Sequence, residues 1–561
     1  MERGGIHVGS PNQPRAGKAA LAVLLTAGLL TACSGTGEPG SGGDTAPASV
    51  LKGGRFDPPV TMTSWGCYSA TYKYKENQSF EQNVGLDWVK EKLGIQIQYL
   101  WTTPWENDAC LTKMRLSLSG NEPLPDVVYV SVDAKGRSIL ADLIETGQFM
   151  DIGEVFEKHA SPAYKEILKA HPELWAFAAR DGKRYGIPHT ADPYVNSPVL
   201  YLREDWLKTL NLKTPGTIDE LEAVMDAFVN KDPDGNGKKD TYGLALGVKN
   251  NWLEGFASTG WIFGAYGTVP TYWLKGADGS LQYGSVQPGA KEALAKLRSW
   301  YEKGYLDPEF AMKDPAKASE LVTAGRTGVI DGPYWLPIWP LPDLKKNVPG
   351  SSMLPVMLPA GPGGKPGFNG GDSLLGVYLI NKKYKTPEAL QVYLNKMLQA
   401  GGKEKGSDVE NGFIEGYDYK MENGAPVAVP DQRVDQILLG NGTPMIPERN
   451  LNSLAHLASG AAPRDGFDQG NVAYKDAHVP GSIMQKQLSF GIQNEFKGAS
   501  TPTMSTKMEA LRKMENEVFT KIIYGKEPLT AFDDFVAKWK SSGGDQITKE
   551  VNDWYQAAGS K

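Results

Sequence analysis

The stretch Asp232-Pro233-Asp234-Gly235-Asn236-Gly237-Lys238-Lys239-Asp240 carries the sharpest chemistry in the chain. Counted from Asp232, side-chain oxygens fall at the first, third, fifth and ninth places (Asp232, Asp234, Asn236 and Asp240), and the carbonyl of Lys238 falls at the seventh. Gly237 holds the sixth place, where a calcium loop turns sharply. A hard dication needs several oxygens around it, and alternate residues of one loop supply them. The pattern predicts Ca2+ in a structural role, because a wrapped ion leaves no open position for a reacting group. The twelfth place is Gly243 rather than the bidentate Glu of a full EF-hand. An Asp/Gly/Asn turn between a helix and a strand is the plainer reading of the same residues.

Aromatic side chains form the second group, with 14 Trp and 24 Tyr in 561 residues. A sugar ring presents apolar C–H faces edged by hydroxyls, and flat rings flanked by carboxylates, amides and Arg complement it. Candidate ligand-binding rings are Trp65 after a first strand, Trp252 and Trp261 after the Asp-rich loop, and Tyr334 and Trp335 after Asp331-Gly332-Pro333, with Trp339 close behind. Asp372, in Asn369-Gly370-Gly371-Asp372-Ser373, is a candidate acceptor for hydroxyls where glycines let backbone approach a ligand. Packing within a core is the alternative for each ring, and a solvated loop acid the alternative for Asp372. Cys67 and Cys110 form an even pair that is either a disulfide or two buried thiols. No Cys/His signature of a nucleophile accompanies them.

Patterning indicates the elements that position these groups. Val60 to Trp65 reads as a strand, Phe80 to Leu93 as a helix ended by Gly94, and Ile95, Ile97 and Tyr99 as an alternating strand. Strand, helix and strand in that order predict a βαβ unit. A helix over Cys110 to Ser119 and a buried strand in Pro125 to Val130 extend it into an α/β domain. Residues 181 to 206 carry several prolines and then an extended apolar stretch, which places a first crossing between domains near Thr190 to Val199. Thr217 with Glu220 three residues on predicts a capped helix to about Val229, just ahead of the Asp-rich loop. Helices are expected at Lys291 to Lys303, Met504 to Tyr524, Ala531 to Ser541 and Gln546 to Ala557, and Leu374 to Ile380 reads as a strand returning to the first domain.

Near the amino terminus, Ala19 to Ala32 is an apolar run preceded by Arg15 and Lys18, shorter than the roughly 20 residues a helix needs to span a bilayer. Leu30-Thr31-Ala32-Cys33 resembles the bacterial lipobox, which implies acylation of Cys33 and removal of residues 1–32; an ordinary signal peptide is the alternative. Residues 33–54 read as a flexible Gly/Ser/Pro-rich tether. Loss of residues 1–32 removes Arg3, Arg15, Lys18 and Glu2, taking the formal charge from −6 to −8. That sign excludes a nucleic-acid partner and disfavours a strongly anionic glycan unless the cleft is locally basic. The length calls for at least two cores.

Several segments together resemble the extracellular solute-binding lipoproteins of ABC sugar importers, in the large oligosaccharide-binding branch. They are Leu124-Pro125-Asp126-Val127-Val128, the run 143–152, Tyr185-Gly186-Ile187-Pro188, Leu202 to Leu207, Glu302 to Glu309, and the tail segments 519–525 and 539–547. The resemblance implies an α/β fold of the type II periplasmic-binding-protein kind, with two lobes, a ligand cleft and several crossovers. Lobe I is expected to take 55–195 plus about 367–430, and lobe II 196–366 plus about 431–561. It further implies a monomer that captures an oligosaccharide, delivers it to ABC transporter permease subunits, and meets the membrane only through its lipid. The Asp-rich loop resembles the shorter calcium loop of such proteins, and the Gly-Pro-aromatic turn at Tyr334 resembles one that carries a stacking Trp in maltose-type members. A secreted calcium-containing carbohydrate-active enzyme, a receptor for a non-sugar solute and an adhesive lipoprotein are the competing functions. The receptor reading assigns no catalytic residue.

Overall fold

The computed structural model describes residues 49–559, apart from 71, 133, 250, 423, 430, 431 and 441. Cys33, the signal segment and most of the tether lie outside the described residues. The first described strands fall inside the stretch read as the tether: Val50–Lys52 pairs antiparallel with Arg55–Asp57. The turn between them is Gly53-Gly54, both at positive φ (58° and 84°), the backbone a two-residue hairpin needs.

Strand β1 (Val60–Tyr68) leads to helix α1 (Val84–Leu93), strand β2 (Ile95–Pro104), helix α2 (Ala109–Ser119), strand β3 (Val127–Ser131) and helix α3 (Ala134–Glu145). Both β2 and β3 run parallel to β1, one on each side, so the opening is a pair of βαβ steps. The side chain of Asn83 caps α1 by accepting the Leu86 amide at 3.0 Å, and Gly94 closes it in the left-handed region at φ 65°. A Cβ at Gly94 would stand 2.0 Å from the Phe56 carbonyl oxygen, so only glycine fits there. Strand β4 (Gly186–Thr190) then precedes β5 (Val199–Arg203), helix α4 (Ile218–Asn230), β6 (Tyr242–Leu244), β7 (Thr327–Gly332), β8 (Met353–Val356) and the returning β9 (Leu374–Ile380). At the start of α4, Thr217 accepts the Glu220 amide and Glu220 accepts the Thr217 amide, a complete capping box.

The two larger sheets are ordered β2-β1-β3-β9-β4 and β6-β7-β5-β8. The returning strand Leu374–Ile380 is almost wholly apolar and lies antiparallel between β3 and β4, where both faces are covered. One core surrounds the first sheet and draws on Phe56 to Ile187 and Leu374 to Leu439. The other surrounds the second sheet and draws on Val199 to Phe368 and Leu451 to Val551, including the long tail helix α5 (Pro502–Ile523). The chain therefore changes core three times, at 188–198, 369–373 and 440–450.

The third change comes later than the expected boundary near 430. Val434 and Ile437 to Leu439 are buried in the first core, where Asn83 donates to the Ile437 carbonyl (3.3 Å) and Tyr393 to that of Leu439 (3.0 Å). The first two crossings touch: a Cβ at Gly371 would lie 2.0 Å from the Pro193 carbonyl oxygen. No helix among the described residues is long and apolar enough to cross a membrane.

Candidate functional site

Between the two cores lies a cavity of about 780 Å³. Its first wall is made by the carboxyl ends of the three parallel strands: Ser69 follows β1, Trp105 and Glu106 follow β2, and Ser131 and Val132 end β3. That is where open α/β sheets leave room for ligands, because chain leaving the strands diverges there. Tyr272 and Asn494 face it from the second core, and Gly370 and Asp372 from the second crossing.

Two polar atoms here are buried without a partner among the described residues: the indole Nε1 of Trp105 and Oε2 of Glu106. The other Glu106 oxygen is fixed, accepting from Ser69 Oγ (3.2 Å) and the Ala70 amide (3.0 Å). One donor and one acceptor thus remain for a bound molecule, each held by its neighbours. The Trp105 ring meets Tyr129 edge-on at 6.2 Å, and Tyr129 packs on Tyr378 (5.0 Å) and His189 (5.6 Å) behind it. Burial pushes His189 down to about 4, so the imidazole backing this aromatic wall is neutral. Leu375, 46% exposed, adds apolar surface.

Asp372 joins the two walls. Arg137 of α3 reaches it at 3.4 Å, and the Lys497 ammonium, from the second-core side, pairs with its other oxygen. Arg137 is further held by its Nε bond to the Val132 carbonyl (2.6 Å) and by Nη1 to the Phe496 carbonyl (3.3 Å). Tyr272 donates to the Gly370 carbonyl at 2.8 Å, and burial raises its hydroxyl well above the ordinary tyrosine value.

The structure brings only Asp372, of the residues singled out from sequence, onto this cavity. Trp65 is packed in the first core and stacks on Trp101 at 5.2 Å. Trp252 and Trp261 lie in the second core; Trp252 donates to Asn516 Oδ1 (2.7 Å) and tilts against Phe519. Tyr334 is buried beside the first crossing, its hydroxyl accepting from Asn450 Nδ2 at 2.6 Å. Trp335 donates to the Val195 carbonyl (2.8 Å) and stacks on Trp339, which is 52% exposed. In this structure these five rings pack in cores or against a crossing and not on the cavity wall. A strand or helix position that faces a core selects large apolar rings as strongly as one that faces a ligand, so residue type alone does not separate them. Trp105, Glu106, Tyr129 and Tyr272 went unselected. The signal for the first two was Trp105-Glu106 directly after the alternating strand that begins at Ile95.

Cys67 and Cys110 are joined in a disulfide with α-carbons 5.8 Å apart. The Asp-rich loop is self-contained. Asp232 accepts the Asn236 amide (3.1 Å) and the Gly237 amide (3.0 Å), and Asn236 Nδ2 bridges Asp234 (2.9 Å) and Asp240 (3.2 Å). Burial and the neighbouring carboxylates raise Asp234, whereas the Gly237 amide lowers Asp232. The donor set suits a hard cation, yet among the described residues no three His, Cys, Asp or Glu side chains converge on one ion position. The Asn236 amide does the bridging instead.

A sequence model of the family described as bacterial extracellular solute-binding protein matches residues 73–404. The chain belongs to that family. It is 24% identical over 538 residues to the polygalacturonan/rhamnogalacturonan-binding protein YtcQ of Bacillus subtilis, covering 96% of this chain and 97% of that one. It is 25% identical over 488 residues to lipoprotein LipO of the same organism, covering 85% and 90%. Its fold matches that of the Streptococcus pneumoniae ABC-transporter substrate-binding protein FusA in complex with kestose, with a TM-score of 0.63 at 18% identity, over 90% of this chain and 100% of that one. A second FusA structure, of an EF-hand mutant in complex with fructo-nystose, aligns with a TM-score of 0.62 at 18% identity, over 90% and 100%. The architecture is the two-lobed α/β fold of type II periplasmic binding proteins.

Proposed function

We propose that this solute-binding protein is anchored outside the cell through lipid on Cys33, captures an oligosaccharide between its lobes and delivers it to the permease of an ABC importer. The observation that carries the reading is the cavity between the cores, where Trp105 Nε1 and Glu106 Oε2 stand unpartnered beside the rings of Tyr129 and Tyr272. A saccharide hydroxyl accepts from the first, donates to the second, and lays its C–H faces on the aromatic wall. The names of YtcQ, LipO and FusA support saccharide binding, lipid anchoring and coupling to a transporter in turn.

The mechanism is population shift. A ligand that touches both lobes binds the closed arrangement more tightly than the open one and moves the equilibrium by that difference. The crossings at 188–198, 369–373 and 440–450 are the segments that bend. Docking on the permease is aided by the tether, which raises the effective concentration of a monomeric receptor in the same membrane. The side chains of Asp232, Asp234, Asn236 and Asp240 and the carbonyl of Lys238 would hold Ca2+ in this loop, which would supply a structural crosslink after α4. No bond is made or broken in the ligand.

Calorimetry against a panel of neutral and acidic oligosaccharides, with product analysis of the same samples, tests the reading. Saturable binding without turnover is the expected result. Turnover of a glycan would replace the receptor with an enzyme, and binding of a peptide or another solute alone would end the saccharide assignment.

A further inference from the structure

A second cavity, of about 470 Å³, opens from the first and shares Val132, Arg137, Tyr272 and Asn494 with it. Three guanidinium groups line it, drawn from both lobes: Arg115 on α2, Arg137 on α3 and Arg512 on α5. The anionic side chain on its wall is Glu509. Such a concentration of positive charge stands against the chain's formal charge of −6.

The three guanidiniums are not equivalent. Arg137 already has Asp372 and two carbonyls. Arg512 has its Nε buried with no hydrogen-bond partner, and neither it nor Arg115 has a carboxylate within 4 Å among the described residues. Glu515, one turn along α5, is an acid that interacts electrostatically with Arg512. That carboxyl is fully buried, accepts the Tyr283 hydroxyl proton at 3.2 Å, and is pushed up to about 7 by burial, so it neutralises Arg512 poorly. Arg512 is half-buried with its Nε fully covered, so a donor stands aimed into the cavity without an acceptor, and the rigid fork of a guanidinium matches a planar carboxylate. Phe496 and Ser505 also line the cavity.

We propose that this annex receives the carboxylate of a uronic-acid unit, so that the receptor's ligand is an acidic oligosaccharide running from the Trp105 cavity toward Arg512. The assignment rests on the oligosaccharide reading above and adds the substrate class. In it, Arg512 and Arg115 bind the carboxylate from opposite lobes, which also makes the acid group a bridge that favours closure.

The test is calorimetry with trigalacturonate, its fully methyl-esterified form, and a neutral trisaccharide such as kestose. The ester keeps the shape and removes the charge. Wild type is expected to bind the acid at least about tenfold tighter than the ester, the scale of one charge-assisted hydrogen bond, with the gap narrowing as salt rises. Arg512→Gln and, separately, the exposed Arg115→Gln should each collapse the acid-to-ester ratio, whereas Arg512→Lys should restore part of it. Equal affinity for acid and ester, or a ratio unmoved by both Gln variants, overturns the annex and leaves the receptor standing if a neutral sugar binds. A sulfated trisaccharide preferred over the uronate overturns the carboxylate assignment. Absence of binding by every saccharide ends both readings.

Discussion

Cys67 is the next-to-last residue of β1 and Cys110 the second residue of α2, so their disulfide closes a loop that contains α1, β2, Trp105 and Glu106. The perturbation is Cys67→Ser with Cys110→Ser, compared with the oxidised wild type. With a sequence separation of 43 between the cysteines, the chain-entropy relation gives about 4 kcal/mol removed from the unfolded ensemble. That is a large share of the roughly 5–15 kcal/mol by which domains are stable. The effect also reaches the site. The crosslink lies beside Ser69 and Ala70, which hold Glu106 by bonds of 3.2 and 3.0 Å, so its loss frees the wall that presents Trp105. The assay is urea unfolding followed by tryptophan fluorescence, with mass spectrometry to establish that the wild type is oxidised. We expect a fall of about 2–4 kcal/mol in the first transition and a weakened ligand affinity. A variant that unfolds at the wild-type midpoint, against a wild type shown to be fully oxidised, would refute the reasoning.

Three further outcomes follow from the same structure. His189 is fully buried against the Tyr378 hydroxyl (3.0 Å) and depressed to about 4, so it adds stability that is complete above the unfolded value of about 6.5 and is lost as pH falls through about 4. The loss amounts to about 3 kcal/mol, and unfolding midpoints for wild type and His189→Gln between pH 4 and 7 should converge toward the acid end; a constant difference contradicts it. Chelator should lower the melting temperature, added Ca2+ should restore it, and Asp234→Asn should weaken the response; unchanged melting would make the Asp232 to Asp240 loop a turn only. Glu106→Gln removes the charge of the free acceptor and should weaken saccharide binding about tenfold while leaving melting unchanged.

Local rules made much of the fold readable. The stop at Gly94, the capping box at Thr217 and Glu220, and the apolar run of the returning strand Leu374–Ile380 are features whose cause lies within a few residues, and each stands where its pattern places it, whereas the helix expected from Phe80 starts only at Val84, after the Asn83 cap. The segment Val434 to Leu439 shows the limit, since it is held by Asn83 and Tyr393, far away in sequence. The site was less legible for a related reason. Trp65 and Trp105 are the same residue type, but Trp65 lies within β1 and faces a core, whereas Trp105 lies just past the carboxyl end of the neighbouring parallel strand β2. Position relative to the strand end decides the role, and sheet order is a long-range property. The three guanidiniums at 115, 137 and 512 share a cavity only because two lobes meet.

We propose that the cavity at the ends of the parallel strands, and not the rings in the cores, binds saccharide. Calorimetric affinity for one bound oligosaccharide in wild type, Trp105→Ala and Trp252→Phe separates the two. We expect 1:1 binding to the wild type, a loss of at least about tenfold in Trp105→Ala from the missing stack and N–H donor, and wild-type affinity in folded Trp252→Phe. Wild-type affinity in Trp105→Ala, or a comparable loss in a folded Trp252→Phe, would contradict it.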